Sequence, residues 1–394
     1  MSSLRRFVLL VLFASIASVG LAQVSVHATR RADGSVTQVL YVLSHGRIMT
    51  YNVDATTGQA SLVGQPLTLR PNLIYTFSLV PSPDDQHLYI LFSDSENTQH
   101  LWVFATDAQG VPQSSPVQKL AVASVIQFEV HPSGAFAYAL RTWGDPNEFL
   151  TSEVRLFTID ASTGMLTESP VSQGTYGPVY ECGLGFNGFS PDGTAFYDYL
   201  FCGYHDSSEA RYLSRSVDLQ TGTLGADQNY FNWSNGSSGI DFVRSLNASD
   251  FVELTVPNDF QSGVSEINVY SIAPGSKQPL VHCTGQVLQA CGNATGMQVN
   301  PTQPYLFLSL VPFDTKIVQV DLAGNQIVDT GNVIPAGQNL SFSPDGLVLY
   351  GYTYQFEGNA TIQVYLFDPN SGAVTPGSLI TVPGTLDGIF TAER

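Results

Sequence analysis

Hydrophobic and polar residues alternate along most of this chain in short runs, and each run ends in a polar turn. The run MTYNVDATTG carries apolar side chains at every second position, and it ends, like LFTIDASTG and VYLFDPNSG, in an Asp-containing turn that closes on Gly. Alternation with a period of two is typical of a half-buried β-strand, and Asp followed by Gly favours a tight reversal. The pattern therefore predicts β-hairpins along the whole chain.

The hairpin recurs seven times at nearly constant spacing. Its turn glycines are 48 to 58 residues apart, and they are Gly58, Gly110, Gly164, Gly222, Gly275, Gly324 and Gly372. A second turn, with copies such as SPDD, HPSG and SPDG, precedes most of the hairpins and leads into an aromatic-rich strand. Four short strands in about fifty residues are typical of a propeller blade. We therefore predict an all-β, seven-bladed β-propeller with four-stranded antiparallel blades, and an open solenoid is the alternative.

The last residues of the chain favour a closed ring. Residues 385–392 resemble the first strand of an eighth unit but are followed by no hairpin, whereas the N-terminal unit has a hairpin and lacks that opening strand. Pairing these two parts would remove two exposed sheet edges. We predict that blade 1 combines 33–67 with 385–394, and that the other blades span about 71–118, 122–173, 180–232, 238–282, 294–332 and 336–380.

The first residues have the features of an export signal. Arg5 and Arg6 precede an uninterrupted run of apolar and small residues over 7–19, and small residues flank Leu21. Such a run is too short to cross a bilayer as a helix, although an anchor that is never cleaved is the alternative. We predict a signal peptide over 1–22, a lead-in over 23–32 and the propeller over 33–394. The mature protein would be periplasmic, on the cell surface or extracellular, with no membrane span.

The chain is acidic, with 33 Asp and Glu against 15 Lys and Arg and a formal net charge of −18. Nucleic-acid affinity comes mostly from Lys and Arg on phosphates, so this balance excludes nucleic acid as a partner. An acidic surface keeps a protein soluble and favours cationic ligands, but it identifies none of them.

Four cysteines in an exported chain indicate two disulfides, for which three pairings exist. Cys182 and Cys202 lie equally far from the centre of one SPDG turn, so they would face each other across a hairpin. Cys283 and Cys291 flank a short connection between two blades. We predict the pairings 182–202 and 283–291, and metal ligation by these cysteines is the alternative.

The repeated units resemble those of a known family. The SPDG turn before an aromatic strand, at 190–199 and 343–352, and the strand with its Asp-containing turn, at 156–166 and 364–374, are similar to blades of the lactonase-like propellers. That group includes 6-phosphogluconolactonase-type proteins and YVTN-repeat surface proteins. The resemblance implies a seven-bladed ring and lactone hydrolysis. Members commonly carry Arg-His on an innermost strand, and the corresponding segments 75–80, 125–130 and 182–187 carry no such pair.

Ligands of propellers usually meet the mouth of the central channel, where innermost strands from several blades converge. The repeat register places five charged candidates there: Glu129, Glu181, Asp241, Arg244 and Asp387. Gln127, Gln298 and Asn339 lie at comparable depth. Carboxylates and an Arg around an axis could hold a divalent cation or polarise a lactone carbonyl, and the alternative is mutual pairing in a wet channel. His87 and His131 are expected to be solvated turn residues.

Two functions follow from these features. The first is an exported binding or scaffold propeller that presents its loops and channel mouth to a protein, glycan or small ligand. The second is a lactonase-type hydrolase that uses the channel carboxylates, with a divalent cation among them. No nucleophile elbow, zinc-protease motif, Walker loop or dinucleotide fingerprint occurs in the sequence, and this favours the first.

Overall fold

Every regular element that the structure describes is a β-strand. The computed structural model describes residues 26–30, 36–44, 46–69, 73–94, 96, 98–144, 149–180, 182–190, 192–204, 207–226, 228–235, 239–246, 250–257, 265–271, 280–284, 294–310, 314–335, 339–353, 359–382 and 388–389. These strands form seven antiparallel sheets, one per predicted unit, arranged in a ring. The predicted seven-bladed β-propeller is confirmed.

The first three blades are built from the N-terminal half of the chain. Blade 1 contains β1 (Val26–Arg30), β2 (Val36–Ser44), β3 (Arg47–Asp54) and β4 (Ala60–Thr68). Blade 2 contains β5 (Leu73–Pro81), β6 (His87–Asp94), β7 (Gln99–Ala105) and β8 (Gln118–Val122). Blade 3 contains β9 (Val125–Val130), β10 (Phe136–Gly144), β11 (Phe149–Ile159) and β12 (Leu166–Tyr180).

The other four blades repeat this order. Blade 4 contains β13 (Cys182–Phe189), β14 (Ala195–Tyr204), β15 (Ser207–Ser216) and β16 (Gln228–Asn235). Blade 5 contains β17 (Gly239–Ser245), β18 (Asp250–Pro257), β19 (Glu266–Ser271) and β20 (Val281–Thr284). Blade 6 contains β21 (Ala294–Val299), β22 (Tyr305–Leu310), β23 (Thr315–Asp321) and β24 (Gln326–Ile334). Blade 7 contains β25 (Asn339–Phe342), β26 (Val348–Thr353), β27 (Ala360–Phe367) and β28 (Val374–Val382), and β29 (Gly388–Ile389) follows it.

The two ends of the chain share one sheet, as the sequence predicts. The C-terminal strand β29 pairs with β2, where Ile389 lies opposite Val42. The structure adds a strand that the sequence pattern did not indicate, because β1 lies within the segment taken as a lead-in and pairs with the other half of the same edge of β2, Val26 opposite Leu40. The inner edge of blade 1 is therefore occupied by both ends of the chain.

The hydrophobic core is divided among the interfaces between blades. One cluster joins blades 1 and 2 through residues such as Leu43 and Ile90, and others join blades 2 and 3, 3 and 4, 5 and 6, 6 and 7, and 7 and 1. Second strands are the most buried, and every residue of β6 is buried. Outer strands such as β8 alternate between exposed and half-buried residues. Blades 1, 2, 3, 6 and 7 are thus stabilised by apolar burial on both of their faces.

In the described part of the chain, two turns at the same end of a blade follow from the repeated motifs. The outer turn, between third and fourth strands, is capped by its Asp: the Asp160 carboxylate accepts hydrogen bonds from the backbone N–H groups of Ser162 and Thr163 at 3.0 and 2.9 Å. The inner turn, between first and second strands, is closed by Ser: the Ser190 hydroxyl donates to the Asp192 carboxylate at 2.6 Å. The predicted role of Asp in these reversals is confirmed.

Candidate functional site at the inner strands

The first strand of each blade forms its inner edge. Among the described residues, six of these first strands pair only with the second strand of their own blade: β5, β9, β13, β17, β21 and β25. First strands of successive blades contact one another in the series β5, β9, β13, β17 and β21. These strands surround the axis of the ring, so residues on them are closest to the channel.

Several of these inner strands are bent by a β-bulge. Register shifts interrupt the pairing of β5 with β6, β9 with β10, β13 with β14 and β21 with β22. In blade 3 the shift lies between Leu140 and Arg141, which face Gln127 and Val125. A bulge inserts one residue and re-aims the side chains beside it, as is common next to functional surfaces.

Glu129 is the predicted channel acid whose side chain the structure describes. It lies on β9 opposite Tyr138 and is half-buried. Gln127, two residues earlier and therefore on the same face, accepts a hydrogen bond from the backbone N–H of Phe186 in blade 4 at 2.7 Å. The amide of Gln127 thus connects two inner strands, and Glu129 projects towards the same interface between blades 3 and 4.

The other four candidates are only partly placed. Asp241 and Arg244 lie on β17, opposite Thr255 and Val252, and their side chains are outside the described part of the chain. Glu181 and Asp387 are outside the described residues altogether. Among the residues that are described, no three His, Cys, Asp or Glu side chains form a group that could hold a metal ion. A cation held by Glu129, Asp241 and Asp387 therefore stays a hypothesis.

The expectation that His87 and His131 are solvated turn residues is wrong, because both are buried. His131 is 1% exposed, its Nδ1 accepts the backbone N–H of Ser133 at 3.0 Å, and its Nε2 donates to the carbonyl of Gly193 in blade 4 at 2.8 Å. His87 packs so closely on Gly164 that a Cβ there would lie 2.3 Å from the ring. Burial lowers the pKa of both imidazoles, which favours their neutral forms.

Tyrosines on second strands form hydrogen bonds to the following blade. The hydroxyls of Tyr41, Tyr89 and Tyr138 donate to the carbonyls of Gly110, Gly164 and Gly222, at 2.7, 3.1 and 2.6 Å. Burial raises the pKa of all three phenols, so they remain neutral donors. In each case the acceptor is the outer-turn glycine of the next blade.

Other polar side chains also form hydrogen bonds to a neighbouring blade. Asn300 in blade 6 donates to the carbonyl of Gly346 in blade 7 at 2.8 Å, as His131 does in blade 3. Gln118 on β8 makes two bonds to Leu166 of blade 3, at 2.9 Å to its carbonyl and 2.7 Å from its N–H. Gln118, His131 and Asn300 therefore each bind backbone groups of a neighbouring blade.

A buried ion pair in blade 4 was not indicated by the sequence. Arg215 on β15 bonds to Asp198 on β14, and the two side chains are 1% and 0% exposed. Arg215 also donates to the carbonyl of Gln173 in blade 3 at 2.8 Å. The two residues lie on adjacent strands, two positions apart in their register. One signal in the repeat could have indicated the pair, because Asp198 stands where other blades have an apolar residue after Tyr, as in Tyr89-Ile90, and a buried carboxylate is costly without a charged partner.

A second acid–base pair, also missed by the sequence patterns, lies at the opposite end of blade 2 from its two turns. His100 Nε2 is 2.8 Å from Asp94 Oδ2, and Asp94 Oδ1 accepts the backbone N–H groups of Glu96 and Thr98. The bond to His100 is the largest cause that lowers the pKa of Asp94. Because these bonds close the loop between β6 and β7, the pair has a structural role.

The cysteines are placed in part. Cys182 and Cys202 are direct partners in the register of β13 and β14, as the hairpin argument requires. Cys283 is 2% exposed, and none of the cysteines that the structure describes is free. Cys291 is outside the described residues, and both disulfide pairings stay predictions.

Within the described residues there is no helix of the length and hydropathy needed to span a membrane.

Comparison with known proteins gives structural matches alone. No protein-family model matches the chain, and no curated protein matches its sequence. A proposed 6-phosphogluconolactonase from Bacteroides uniformis matches with a TM-score of 0.56 and 19% identity over 87% of this chain and 94% of that one. A second, from Bacteroides fragilis, matches with a TM-score of 0.58 and 14% identity over 91% and 99%.

A third match shows how broadly this ring is used. Prolyl oligopeptidase B from Galerina marginata is 12% identical with a TM-score of 0.54, and the match covers 93% of this chain but 52% of that one. Identities this low establish the fold and leave the activity open. The chain is a seven-bladed β-propeller with the architecture of the 6-phosphogluconolactonase-like proteins.

Proposed function

We propose that this protein is an exported binding propeller, a rigid ring that presents its channel mouth and loops to a protein, glycan or small ligand. The observation that carries this proposal is the use of polar side chains at the interfaces as ties between blades. Gln127, His131 and Asn300, on or beside inner strands, are each bonded to the backbone of the next blade. Because these side chains hold neighbouring blades together, they favour a rigid binding surface over a catalytic site at these positions.

The binding experiment is a thermal-shift series on the mature chain with oligosaccharides, short peptides and sugar lactones. A ligand that binds the folded ring raises Tm in proportion to RT ln(1 + [L]/Kd), so saturable shifts are expected for at least one class. The same ligands are then assayed for turnover. Binding without turnover supports the proposal, and a complete absence of binding across the series would count against it.

A lactone hydrolase is the second candidate, and the two lactonase-like structures that match nearly their whole length favour it. Glu129 would act there with Glu181, Asp241, Arg244 and Asp387. The assay uses 6-phosphogluconolactone and glucono-lactone, with and without Ca²⁺ or Mg²⁺. Hydrolysis that is lost in Glu129→Gln, while Tm is retained, would establish this activity and overturn the first proposal.

Export is part of the proposal. If residues 1–22 are a signal, the mature chain begins at Gln23, and the N-terminal peptide of the secreted protein should show this by mass spectrometry. The same peptide map tests the disulfides. Non-reduced fragments that join 182 with 202 and 283 with 291 are expected, and a fragment joining 182 with 283 or 291 would exclude that pattern.

A further inference from the structure

Blade 3 presents an exposed tryptophan at the end remote from its turns. Trp143, near the end of β10, is 41% exposed, whereas Trp102 in blade 2 is 5% exposed. Alternation along the strand puts Trp143 on the same face as Ala139, which packs in the core between blades 2 and 3. The indole is therefore exposed on the face of blade 3 that packs against blade 2, four residues beyond Ala139.

The side chain beside this indole is held in a fixed position. The guanidinium of Arg141 lies 5.8 Å from the Trp143 ring centroid. Its Nε donates to the carbonyl of Ala123 at 3.0 Å, and its Nη1 is 3.6 Å from Glu153. Because these two contacts hold the guanidinium in place, its N–H donors lie beside the flat, exposed ring of Trp143.

Glu153 is fixed in turn by the next strand. Arg155 bonds to Glu153 at 3.1 Å and to Glu168 at 2.8 Å, and it donates to the carbonyl of Ser169 at 3.0 Å. We call Arg141, Trp143, Glu153 and Arg155 the blade 3 platform. Its two guanidinium groups are paired with the carboxylates of Glu153 and Glu168, so these four groups carry no net charge.

We propose that the blade 3 platform binds a neutral glycan, with a pyranose ring stacked on Trp143 and vicinal hydroxyls bonded to Arg141 and Glu153. The proposal rests on the binding function proposed above and names a ligand class and a place for it. A flat indole matches the apolar face of a pyranose, and an Arg–Glu pair offers a donor and an acceptor side by side. The balanced local charge and the net charge of −18 both disfavour a polyanion.

The test is calorimetric titration of the full mature chain with maltohexaose, cellohexaose, xylohexaose and chitohexaose. At least one should bind with saturation, and Trp143→Ala should weaken that binding about ten-fold or more. Trp143→Phe should stay within about three-fold of the native chain, because a planar ring remains. Arg141→Ala should weaken binding as well, since it removes the donor.

Met165→Ala is the matched control, because Met165 is also 41% exposed on blade 3 but lies at the turn end. It should leave the affinity unchanged, and all variants should keep the native Tm. Failure of all four oligosaccharides to bind, or equal affinity of Trp143→Ala, overturns the platform. If another ligand binds the native chain and Trp143→Ala equally well, the protein has a binding function, but the blade 3 platform is not its site. If a peptide binds and its binding requires Trp143, the ligand of the platform is a peptide and the glycan proposal is wrong.

Discussion

At the scale of single residues, one hydroxyl often connects two blades. Tyr41, Tyr89 and Tyr138 reach the next blade's outer-turn glycine, and Tyr350 occupies the same position on β26. The hydroxyl of Tyr350 is buried and has no hydrogen-bond partner among the described residues. Burial raises the pKa of this phenol well above its usual value. The repeat thus contains both a bonded and an unbonded version of one side chain.

Phenylalanine substitution separates these two versions. Tyr138→Phe should destabilise the fold by about 1–2 kcal/mol, because the buried carbonyl of Gly222 loses its donor. Tyr350→Phe should change the unfolding free energy by less than about 0.5 kcal/mol, because no bond is broken. Urea denaturation of both variants gives the comparison. Equal losses would show that packing, rather than the hydrogen bond, sets the contribution of these tyrosines.

His131 and Asn300 offer a second substitution test, because they bind the next blade in the same way. His131→Ala should cost about 2 kcal/mol, since the carbonyl of Gly193 would be buried without a donor. His131→Asn should recover part of this loss, because Asn300 shows that an amide can make both bonds. Thermal unfolding of the two variants measures the difference. An Asn variant no better than the Ala variant would contradict the equivalence.

At the scale of elements, the outer turns depend on ionised aspartates. Four bonds from Ser162 and Thr163 lower the pKa of Asp160 from 3.8 to about 2. A carboxyl whose pKa is lower in the folded state stabilises the fold fully above its unfolded pKa, and loses that effect as pH falls through its folded pKa. The loss should therefore fall between about pH 4 and pH 2.

Asp160→Asn tests this window, because an amide oxygen can accept the same bonds without titrating. The stability difference between the native chain and this variant should be constant above pH 5 and should shrink as pH approaches 2. Urea midpoints at several pH values provide the measurement. A difference that grows on acidification would have the wrong sign for a depressed carboxyl pKa.

The ion pair within blade 4 can be compared with a partly exposed one in blade 6, between Lys316 and Asp329. Arg215→Met should cost about 3–5 kcal/mol, because Asp198 would be left as an uncompensated buried charge. Lys316→Met should cost about 0–1 kcal/mol, because the Asp329 carboxylate remains in contact with water. Chemical denaturation of each variant gives the two values. A small loss for Arg215→Met would indicate that Asp198 becomes protonated inside the folded blade.

Repetition explains how much of this could be predicted from sequence. Seven copies of one pattern define strands, turns and closure, because local alternation and turn chemistry are enough to specify a blade. Ties such as His131 to Gly193, which are 62 residues apart, depend on how two blades pack. Local sequence patterns carry no information about packing between residues so far apart in the chain, and they therefore predict a solvated His131. The repeat places Glu129 on its inner strand, but the bond from Phe186 to the neighbouring Gln127 depends on how blades 3 and 4 pack.

At the scale of the whole molecule, the seam in blade 1 is short on its C-terminal side. Strand β29 pairs with β2 at two positions, Val42 and Leu43. Deletion of 386–394 should reduce stability by about 2 kcal/mol and expose the edge of β2, which favours association of two chains. Deletion of 391–394 is the matched control and should have no effect. Light scattering and thermal unfolding would show both results, and an unaffected longer deletion would mean that β1 alone closes the ring.

The pairing of β29 and β1 with the same edge of β2 also bears on which residue the chain could begin with. Ile389 faces Val42 and Val26 faces Leu40, so a single position opposite Tyr41 separates the two strand ends, about 7 Å between α-carbons. Both run in the same direction along β2. A peptide of one or two residues could splice them into one continuous strand, and a new opening in any other blade would then serve equally well. The contacts between blades define the ring, so a circularly permuted chain that begins in another blade should fold to the same ring.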